Sequence, residues 1–338
     1  MVIWVYILAG FLALGICVFA SPLGHLLGVV DKPDGERKLH ARATPLIGGI
    51  AIIVPLVIAL GLISIASDFA PFFIALAVAT LAVLILGLID DRRHIRPLLR
   101  LTMSTAICWI LVVVLPSINV TFLHFSFLDA PMFLNGPWAM VFTLLCLVGL
   151  QNAVNMADGK NGLVIGMSLI WVLALIAYSP THLMPVLIVL GITLVITLNF
   201  NATGRLFLGD SGSYALSITV GVLSVYIYQV NFVALHADVL ALWFLVPIID
   251  CLRLMATRVM KGRSPFSPDR NHLHHMLLGT MRWHRALAIY LLLVAVPALF
   301  AFMLPQWTIL WAAMVLSIYA LIVATQGRSM AQRGLTPL

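Results

Sequence analysis

Eleven apolar stretches divide this chain, and most approach the ~20 residues that a helix needs to cross the hydrocarbon core of a bilayer. They cover residues 2–23, 46–66, 71–89, 98–116, 137–154, 162–179, 183–199, 213–230, 238–257, 286–304 and 307–325. Lipid offers no partners for exposed backbone groups, and the alternation of a membrane β-strand is absent, so each stretch is expected to be a helix. The sequence predicts an all-α integral membrane protein with about eleven transmembrane helices, forming a single polytopic domain over residues 1–338.

The composition excludes the water-soluble classes. Apolar residues make up 62% of the 338 residues and charged residues only 9%, against ~25% charged in soluble domains. So few charges cannot cover the surface of a soluble globular protein. A disordered chain needs the opposite balance, because it lacks apolar surface to bury.

The basic residues predict the orientation. When the connections between stretches are numbered alternately, all 19 lysines and arginines fall on one side of the membrane. The positive-inside rule makes that side cytoplasmic, which places the N-terminus in the periplasm and the C-terminus in the cytoplasm. This sorting accounts for the net charge of +7, so no nucleic-acid partner is indicated.

Five polar segments lie on the predicted cytoplasmic side, and none is long enough to fold alone, so an active site must combine several of them. The first covers residues 31–49 and contains Lys38 and the pair Gly48–Gly49. Lys38 suits a phosphate, and the glycines permit a close backbone approach. The alternative is a topogenic basic loop followed by glycines that pack helices.

The second segment carries the adjacent carboxylates Asp90 and Asp91 at the end of an apolar stretch. At ~4 Å and an effective dielectric constant of ~20, two such charges repel by ~4 kcal/mol. They therefore need a cation nearby. A divalent metal or a proton-transfer role is one interpretation, since ionisable groups at membrane depth are usually functional; pairing with Arg92 and Arg93 is the other.

The third segment places three polar side chains on one face of a helix end. Asn152, Asn155 and Asp158 are spaced three residues apart, and each step rotates the helix face by only ~60°. Such a face suits a hard cation or a nucleotide. Hydrogen bonding between helices, common for asparagine in membranes, is the alternative.

The fourth segment is a glycine-rich turn before the stretch 213–230. Asp210 stands between Gly209 and Gly212. Backbone N–H groups at a helix start attract phosphate, and a carboxylate there can hold a bridging metal. The alternative is a simple N-cap, made by Asp210 or Ser211.

The fifth segment, residues 261–275, offers donors that suit phosphate and sugar oxygens. These donors are Arg270, His272, His274 and His275. The His-x-His-His run without cysteine lacks the spacing of a zinc site. A basic loop that binds anionic lipid is the alternative, and it accounts better for Arg258, Lys261 and Arg263.

Acids, asparagines and basic side chains on one face suit Mg²⁺ and a diphosphate, and the surrounding apolar helices suit a lipid. The chain resembles the polyprenyl-phosphate N-acetylhexosamine-1-phosphate transferases over nearly its whole length. The resemblance rests on four segments that occur in the family's order on one membrane side. They are Asp90-Asp91, Asn152–Gly162, Gly209–Ser213 and Ser264–His275.

The resemblance implies transfer of N-acetylglucosamine 1-phosphate from a UDP-sugar to undecaprenyl phosphate, with release of UMP. It implies Mg²⁺ or Mn²⁺, a bacterial inner-membrane location with the site facing the cytoplasm, and the first membrane step of O-antigen or common-antigen synthesis. It also allows a homodimer.

The resemblance further assigns roles to particular residues. Asp210 and Asn155 would hold the metal. The catalytic positions would be Asp90 and Asp91 beside the acceptor phosphate and Asp158 beside the uridine nucleotide. The substrate-binding positions would be Lys38, Asn152, Asn201, Arg270, His272, His274 and His275. The chain departs from the family pattern at His94, where a third acid is usual, and at Gly204-Arg205.

Three alternative functions remain open at this point. A muramoyl-pentapeptide transferase shares the resemblance, but its family form has three consecutive histidines where this chain has His-x-His-His. A different UDP-N-acetylhexosamine would change only one hydroxyl. A secondary transporter is disfavoured, since transporters place their sites near the midplane on broken helices, whereas these polar clusters stand at helix ends.

Overall fold

The computed structural model describes residues 2–31, 43–267, 269 and 271–332, and within them it is almost entirely helical. The helices are α1 (Val2–Val18), α2 (Ala20–Leu27), α3 (Gly48–Ser64), α4 (Ala70–Arg93), α5 (Pro97–Val114), α6 (Pro137–Ala157), α7 (Leu163–Tyr178), α8 (Met184–Ala202), α9 (Gly209–Val230), α10 (Ala237–Met260), α11 (Leu273–Leu278), α12 (Trp283–Met303) and α13 (Thr308–Gln332). Short 3₁₀ turns occupy Pro116–Ile118, Thr181–Leu183 and Pro305–Trp307. Two antiparallel hairpins join β1 (Val30–Asp31) to β2 (Thr44–Pro45) and β3 (Phe122–Leu123) to β4 (Met132–Phe133).

The helices have the length and composition of membrane spans. Eight of the described helices can cross a bilayer, or nine if the bent pair α1–α2 counts as one span. The helices α3 and α7 are apolar but have only 17 and 16 residues, about 24–26 Å at 1.5 Å per residue against ~30 Å of hydrocarbon. The chain is an all-α membrane protein, as predicted. Each predicted stretch coincides with a long helix or with α1–α2, while the count of eleven spans and their orientation stay predictions.

The first predicted stretch, residues 2–23, is broken in two. The chain bends by 72° between α1 and α2. Pro22 lies in the first turn of α2, where it has no N–H for the carbonyl of Val18 and its ring crowds that carbonyl. The second helix then ends at Gly28, which has a φ of 67°, a left-handed conformation typical of helix ends.

The helix α9 forms the centre of the molecule. All of its residues from Ser211 to Tyr228 are buried, and it packs against α3, α4, α6 and α7. Two of its hydroxyl groups bond within the helix bundle: Ser217 donates to the Ser213 carbonyl, and Thr219 Oγ1 lies 3.1 Å from Thr80 Oγ1 on α4. A helix enclosed by others is fixed on every side, which makes its first turn a rigid platform.

Glycines on α3 and α4 let the start of α9 approach their backbones. A Cβ added to Gly87 would lie 2.3 Å from Ser211 Cα, and one added to Gly49 would lie 2.4 Å from Gly212 N. The N–H groups of Gly48 and Gly49 donate to the carbonyls of the loop residues directly before α9, at 2.9 and 3.0 Å. These glycines therefore serve helix packing, which was the alternative to a phosphate-binding role.

Candidate active site

Four acidic residues meet where α4, α6 and α9 converge. Asp90 and Asp91 lie in the last turn of α4, Asp158 follows the last residue of α6, and Asp210 lies in the first turn of α9. The N–H of Asp210 donates to Asp91 Oδ1 at 2.8 Å. On the α6 side, Asn155 Nδ2 donates to Asp210 Oδ1 at 2.6 Å. Three of the five segments singled out in the sequence are thus brought together.

Asp91 caps α9 from a neighbouring helix. Its two carboxylate oxygens accept the N–H groups of Asp210 and Ser211, at 2.8 and 3.0 Å. These are among the N–H groups that a helix start leaves without an intrahelical partner. A negative charge at this position interacts favourably with the positive end of the helix dipole. The alternative interpretation, in which Asp210 or Ser211 caps this helix, is wrong: the cap position is Leu208, and no side chain of α9 itself makes the bond.

Asp90 is buried and its carboxylate is fully engaged. It accepts the Ile95 N–H at 2.8 Å and the Tyr214 hydroxyl at 2.9 Å, and Arg100 Nη1 lies 3.2 Å from its Oδ2. Among the described residues, the cation that pairs with the two adjacent aspartates is therefore Arg100 on α5, which contacts Asp90. The interpretation that assigned this pairing to Arg92 and Arg93 is wrong for Asp90. Burial requires such partners, because an unpaired buried charge is strongly destabilising.

Asn155 ties the end of α6 to the start of α9. Besides its bond to Asp210, its Nδ2 donates to Ser213 Oγ at 3.1 Å. The amide thus turns its nitrogen toward α9. Asn155 and Asp210, the two residues to which the resemblance assigns a metal, are in direct contact.

Asp158 brings a further carboxyl group to the cluster. Its carboxyl group is half-buried and makes no hydrogen bond within the described residues. Burial, followed by the charges of Asp210 and Asp91, raises the pKa of Asp158 to about 8. No positive side chain among the described residues offsets these effects on the pKa of Asp158.

This donor set suits a hard divalent cation that arrives with its ligand. Among the described residues, no three His, Cys, Asp or Glu side chains are grouped as a metal site. Mg²⁺, however, is usually held by one or two carboxylates and completed by water and substrate phosphates. Asp210, Asp158 and the amide oxygen of Asn155 are the residues here that could hold it.

A cavity of about 280 Å³ adjoins the acidic cluster. It is lined by Arg100, Asn152, Met156, Gly159, Arg258, Phe266, Ser267, Asp269, His272, His274 and His275. Four of the predicted substrate-binding residues, Asn152 and the three histidines, therefore line one cavity. Arg100 joins the two regions, since it both pairs with Asp90 and faces the cavity.

His274 is enclosed at the back of the cavity. It is 1% exposed, and neither ring nitrogen has a hydrogen-bond partner among the described residues. Burial, then the neighbouring His275 and His272, hold the pKa of His274 well below its usual range, so the ring is neutral. Gly159 makes room for it, because a Cβ there would lie 2.2 Å from His274 Nε2.

Arg258 is a site residue that sequence reasoning missed. It is buried, with Nε 2.7 Å from Asp269 Oδ2 and Nη1 donating to the Pro265 carbonyl at 2.6 Å. The lipid-binding interpretation is therefore wrong for Arg258. No sequence signal marks Arg258 as a site residue, because its contacts with Pro265 and Asp269 form only when the segment after α10 folds back onto that helix.

Asn201 has a mainly structural environment. Its Oδ1 accepts the N–H of Gly162 at 2.6 Å, at the start of α7, and its Nδ2 donates to the Leu206 carbonyl at 3.1 Å. Both the oxygen and the nitrogen of the Asn201 amide are thus bonded to backbone groups. The assignment of Asn201 to substrate binding stays a prediction. Lys38 and Arg270, the other two predicted substrate-binding residues, lie outside the described residues.

Comparison with known proteins supports the resemblance. The sequence profile of glycosyl transferase family 4 matches residues 73–228, which contain the four aspartates of the cluster. The chain is 30% identical over 310 residues to the undecaprenyl-phosphate alpha-N-acetylglucosaminyl 1-phosphate transferase of Escherichia coli K12, covering 86% of this chain and 82% of that protein. The Yersinia pestis protein of the same name is 32% identical, covering 75% and 70%.

A Gram-positive relative shows the same similarity. The probable undecaprenyl-phosphate N-acetylglucosaminyl 1-phosphate transferase of Bacillus subtilis is 29% identical over 309 residues, covering 88% of this chain and 84% of that protein. The family resemblance predicted from the motifs is confirmed.

Proposed function

We propose that this chain, which belongs to glycosyl transferase family 4 and is a sugar-1-phosphate transferase, moves N-acetylglucosamine 1-phosphate from UDP-N-acetylglucosamine to undecaprenyl phosphate. A terminal oxygen of the acceptor phosphate attacks the phosphorus that carries the sugar. The bond from that phosphorus to the bridging oxygen breaks, and UMP leaves. The observation that carries the proposal is a basic, histidine-lined cavity beside an acidic cluster at the ends of apolar helices.

In this proposal the cavity binds the donor. Arg100 and Arg258 supply positive charge for the diphosphate, and the histidines and Asn152 supply hydrogen bonds for phosphate and sugar oxygens. Both arginines are held by carboxylates, Asp90 and Asp269. The role of Asp90 is then to fix Arg100, because its own oxygens are already occupied.

The acidic cluster would hold Mg²⁺, with Mn²⁺ as a substitute, through Asp210, Asn155 and Asp158. When bound, the cation neutralises charge on the diphosphate as the leaving group departs. Asp91 keeps Asp210 in place by capping the helix that carries it. An acceptor phosphate with a second pKa near ~6 is already ionised at neutral pH, so the chain need not supply a strong base.

The orientation proposed with this function has the active site in the cytoplasm of a bacterial inner membrane. UDP-sugars are then available to it, and the lipid-linked product can start a cell-surface polysaccharide such as O-antigen or common antigen. The support is the one-sided distribution of all 19 basic residues.

We expect single cysteines to report this orientation. In a cysteine-free background, cysteines at positions 36, 160 and 268 should react with a membrane-impermeant maleimide only after the cells are opened. A cysteine replacing Asp129, in a connection predicted to be periplasmic, should react in intact cells and serves as the control. Labelling of position 160 from outside would contradict the orientation without touching the assigned chemistry.

The identity of the donor is tested by comparing the rates of transfer from different UDP-sugars. Purified protein with Mg²⁺ and undecaprenyl phosphate should release UMP from UDP-N-acetylglucosamine faster than from UDP-N-acetylgalactosamine, and much faster than from the muramoyl-pentapeptide nucleotide. A site that hydrogen-bonds a substrate hydroxyl rejects analogues that leave its polar groups unpaired. The mass of the lipid product identifies the transferred group. Preferred turnover of the pentapeptide donor would overturn the assignment.

A further inference from the structure

A second buried carboxylate lies behind the cavity, outside the acidic cluster. Asp250 on α10 is only 2% exposed. Its Oδ2 lies 3.0 Å from Nδ1 of His272, a residue that lines the cavity. Asp250 lies outside the residues that would hold the metal and the donor in the proposed transfer, yet it contacts the segment that carries the three cavity histidines.

The contact fixes the proton of His272. An ionised carboxylate only accepts hydrogen bonds, so Nδ1 must carry the proton. Asp250 is kept ionised by Arg253, whose Nη2 lies 2.9 Å from Oδ1. A ring whose Nδ1 is bound in this way presents its other nitrogen, Nε2, as the free functional atom.

The carboxylate itself is held from three directions. Its Oδ1 accepts the Tyr319 hydroxyl of α13 at 2.8 Å, in addition to Arg253, and the N–H of Leu273 at 3.2 Å. These bonds come from α13, α10 and the first turn of α11. They leave Oδ2 directed at His272, so the orientation of the imidazole is determined by the surrounding helices.

From this geometry we propose that Asp250 is a positioning residue for the donor: it holds His272 in the Nδ1-protonated form so that Nε2 accepts a hydrogen bond from a hydroxyl or N–H group of the donor sugar. This rests on the proposed function, in which the cavity binds the UDP-sugar. The other titratable groups around His272 are His274, whose ring centroid is 5.4 Å away, and His275, at 6.4 Å. Farther along the cavity wall stand Asp269 and Arg258, which pair with each other.

The variant Asp250→Asn separates this role from a merely structural one. Three donors point at Oδ1, so the asparagine oxygen should stay there and its NH₂ group should face His272. An NH₂ group donates, so Nδ1 must now accept and the proton must move to Nε2. The shape of the side chain is unchanged, but the tautomer of His272 is inverted.

The tautomer can be read directly on resting protein. In chain labelled with ¹⁵N-histidine and placed in lipid vesicles, solid-state NMR distinguishes a protonated Nδ1 from a protonated Nε2. The His272 signals are assigned by their loss in His272→Asn. We expect the neutral ring to carry its proton on Nδ1 in the unchanged chain and on Nε2 in Asp250→Asn. A protonated Nε2 in the unchanged chain overturns the proposal even if the variant does not fold.

The functional consequence is tested by a double-mutant cycle. Asp250→Asn should lower kcat/KM for the donor by about 10- to 100-fold, the usual cost of losing a partner that orients a functional histidine. In a His272→Ala background the same change should add almost no further loss, because Asp250 acts through His272. Losses that multiply would mean that Asp250 acts on the structure alone and would overturn the proposal.

Asp238→Asn is the matched control. Asp238 is also on α10 and also accepts hydrogen bonds, from the N–H and hydroxyl of Ser126, but it stands at the opposite end of the helix. Its variant should leave the His272 tautomer and the transfer rate unchanged. Because the NMR measurement needs no turnover, an unchanged chain with the expected tautomer but no transfer would contradict the proposed function and not the role of Asp250.

Discussion

Asp210→Asn should reduce turnover by about a thousandfold while the protein still inserts and folds. Asparagine preserves the shape of the side chain and its contact with Asn155, but it removes the one carboxylate of its segment. A metal-assisted step loses several kcal/mol of charge stabilisation in this way, and each 1.4 kcal/mol is about tenfold in rate. The measurement is UMP release from UDP-N-acetylglucosamine across a titration of Mg²⁺.

The residual activity of this variant should also require a higher Mg²⁺ concentration. Asp129→Asn is the control, since Asp129 is an exposed carboxylate in another connection and its loss should change neither rate nor metal dependence. Normal turnover of Asp210→Asn at low Mg²⁺ would show that the carboxylate is dispensable, and the metal proposal would have to be withdrawn.

Gly87→Ala should destabilise the fold. We expect a methyl group added at Gly87 to be more destabilising than one added at any other position of α4. The new Cβ would lie 2.3 Å from Cα and 2.5 Å from N of Ser211, and backbone atoms cannot rotate away. Overpacking of this kind costs about 1–3 kcal/mol, and at ~2–4 °C per kcal/mol the melting temperature in detergent should fall by roughly 2–12 °C. Transfer activity should fall with it, because the displaced helix carries Asp210.

Gly149→Ala provides the comparison. Gly149 is also a helical glycine, in α6, but a Cβ there meets nothing within 4 Å. Alanine is the better helix former by up to about 1 kcal/mol in water, so this variant should melt no lower than the unchanged chain. Equal melting of the two variants would show that the start of α9 is less tightly enclosed than the distances indicate.

Much of this fold could be predicted because its main determinants are local. An apolar stretch becomes a helix wherever lipid surrounds it, so each predicted stretch coincides with helical structure. The spacing of Asn152, Asn155 and Asp158 placed them on one face, and that face does meet Asp210. The one broken stretch depends on Pro22, whose effect on the bend is decided by how α2 packs as well as by the missing N–H.

The partners of the charged groups could not be predicted, because no sequence pattern marks them. The carboxylate of Asp91 binds backbone 119 residues away, and backbone N–H groups leave no trace in a sequence. Arg100 and Arg258 had the same appearance as any basic residue at a membrane surface. Only the packed helices show that Arg100 pairs with Asp90 and that Arg258 is buried against Asp269.

The capping of one helix by an acid from another has a consequence for biogenesis. The carboxylate of Asp91 leaves the ribosome 119 residues before the amide it will bind, a delay of roughly 6–24 s at ~5–20 residues per second. During that interval α4 is in the membrane with an acid and an empty groove at Gly87. Nascent chains that stop before α9 therefore leave Asp91 without the backbone N–H groups that it binds and the groove at Gly87 unfilled.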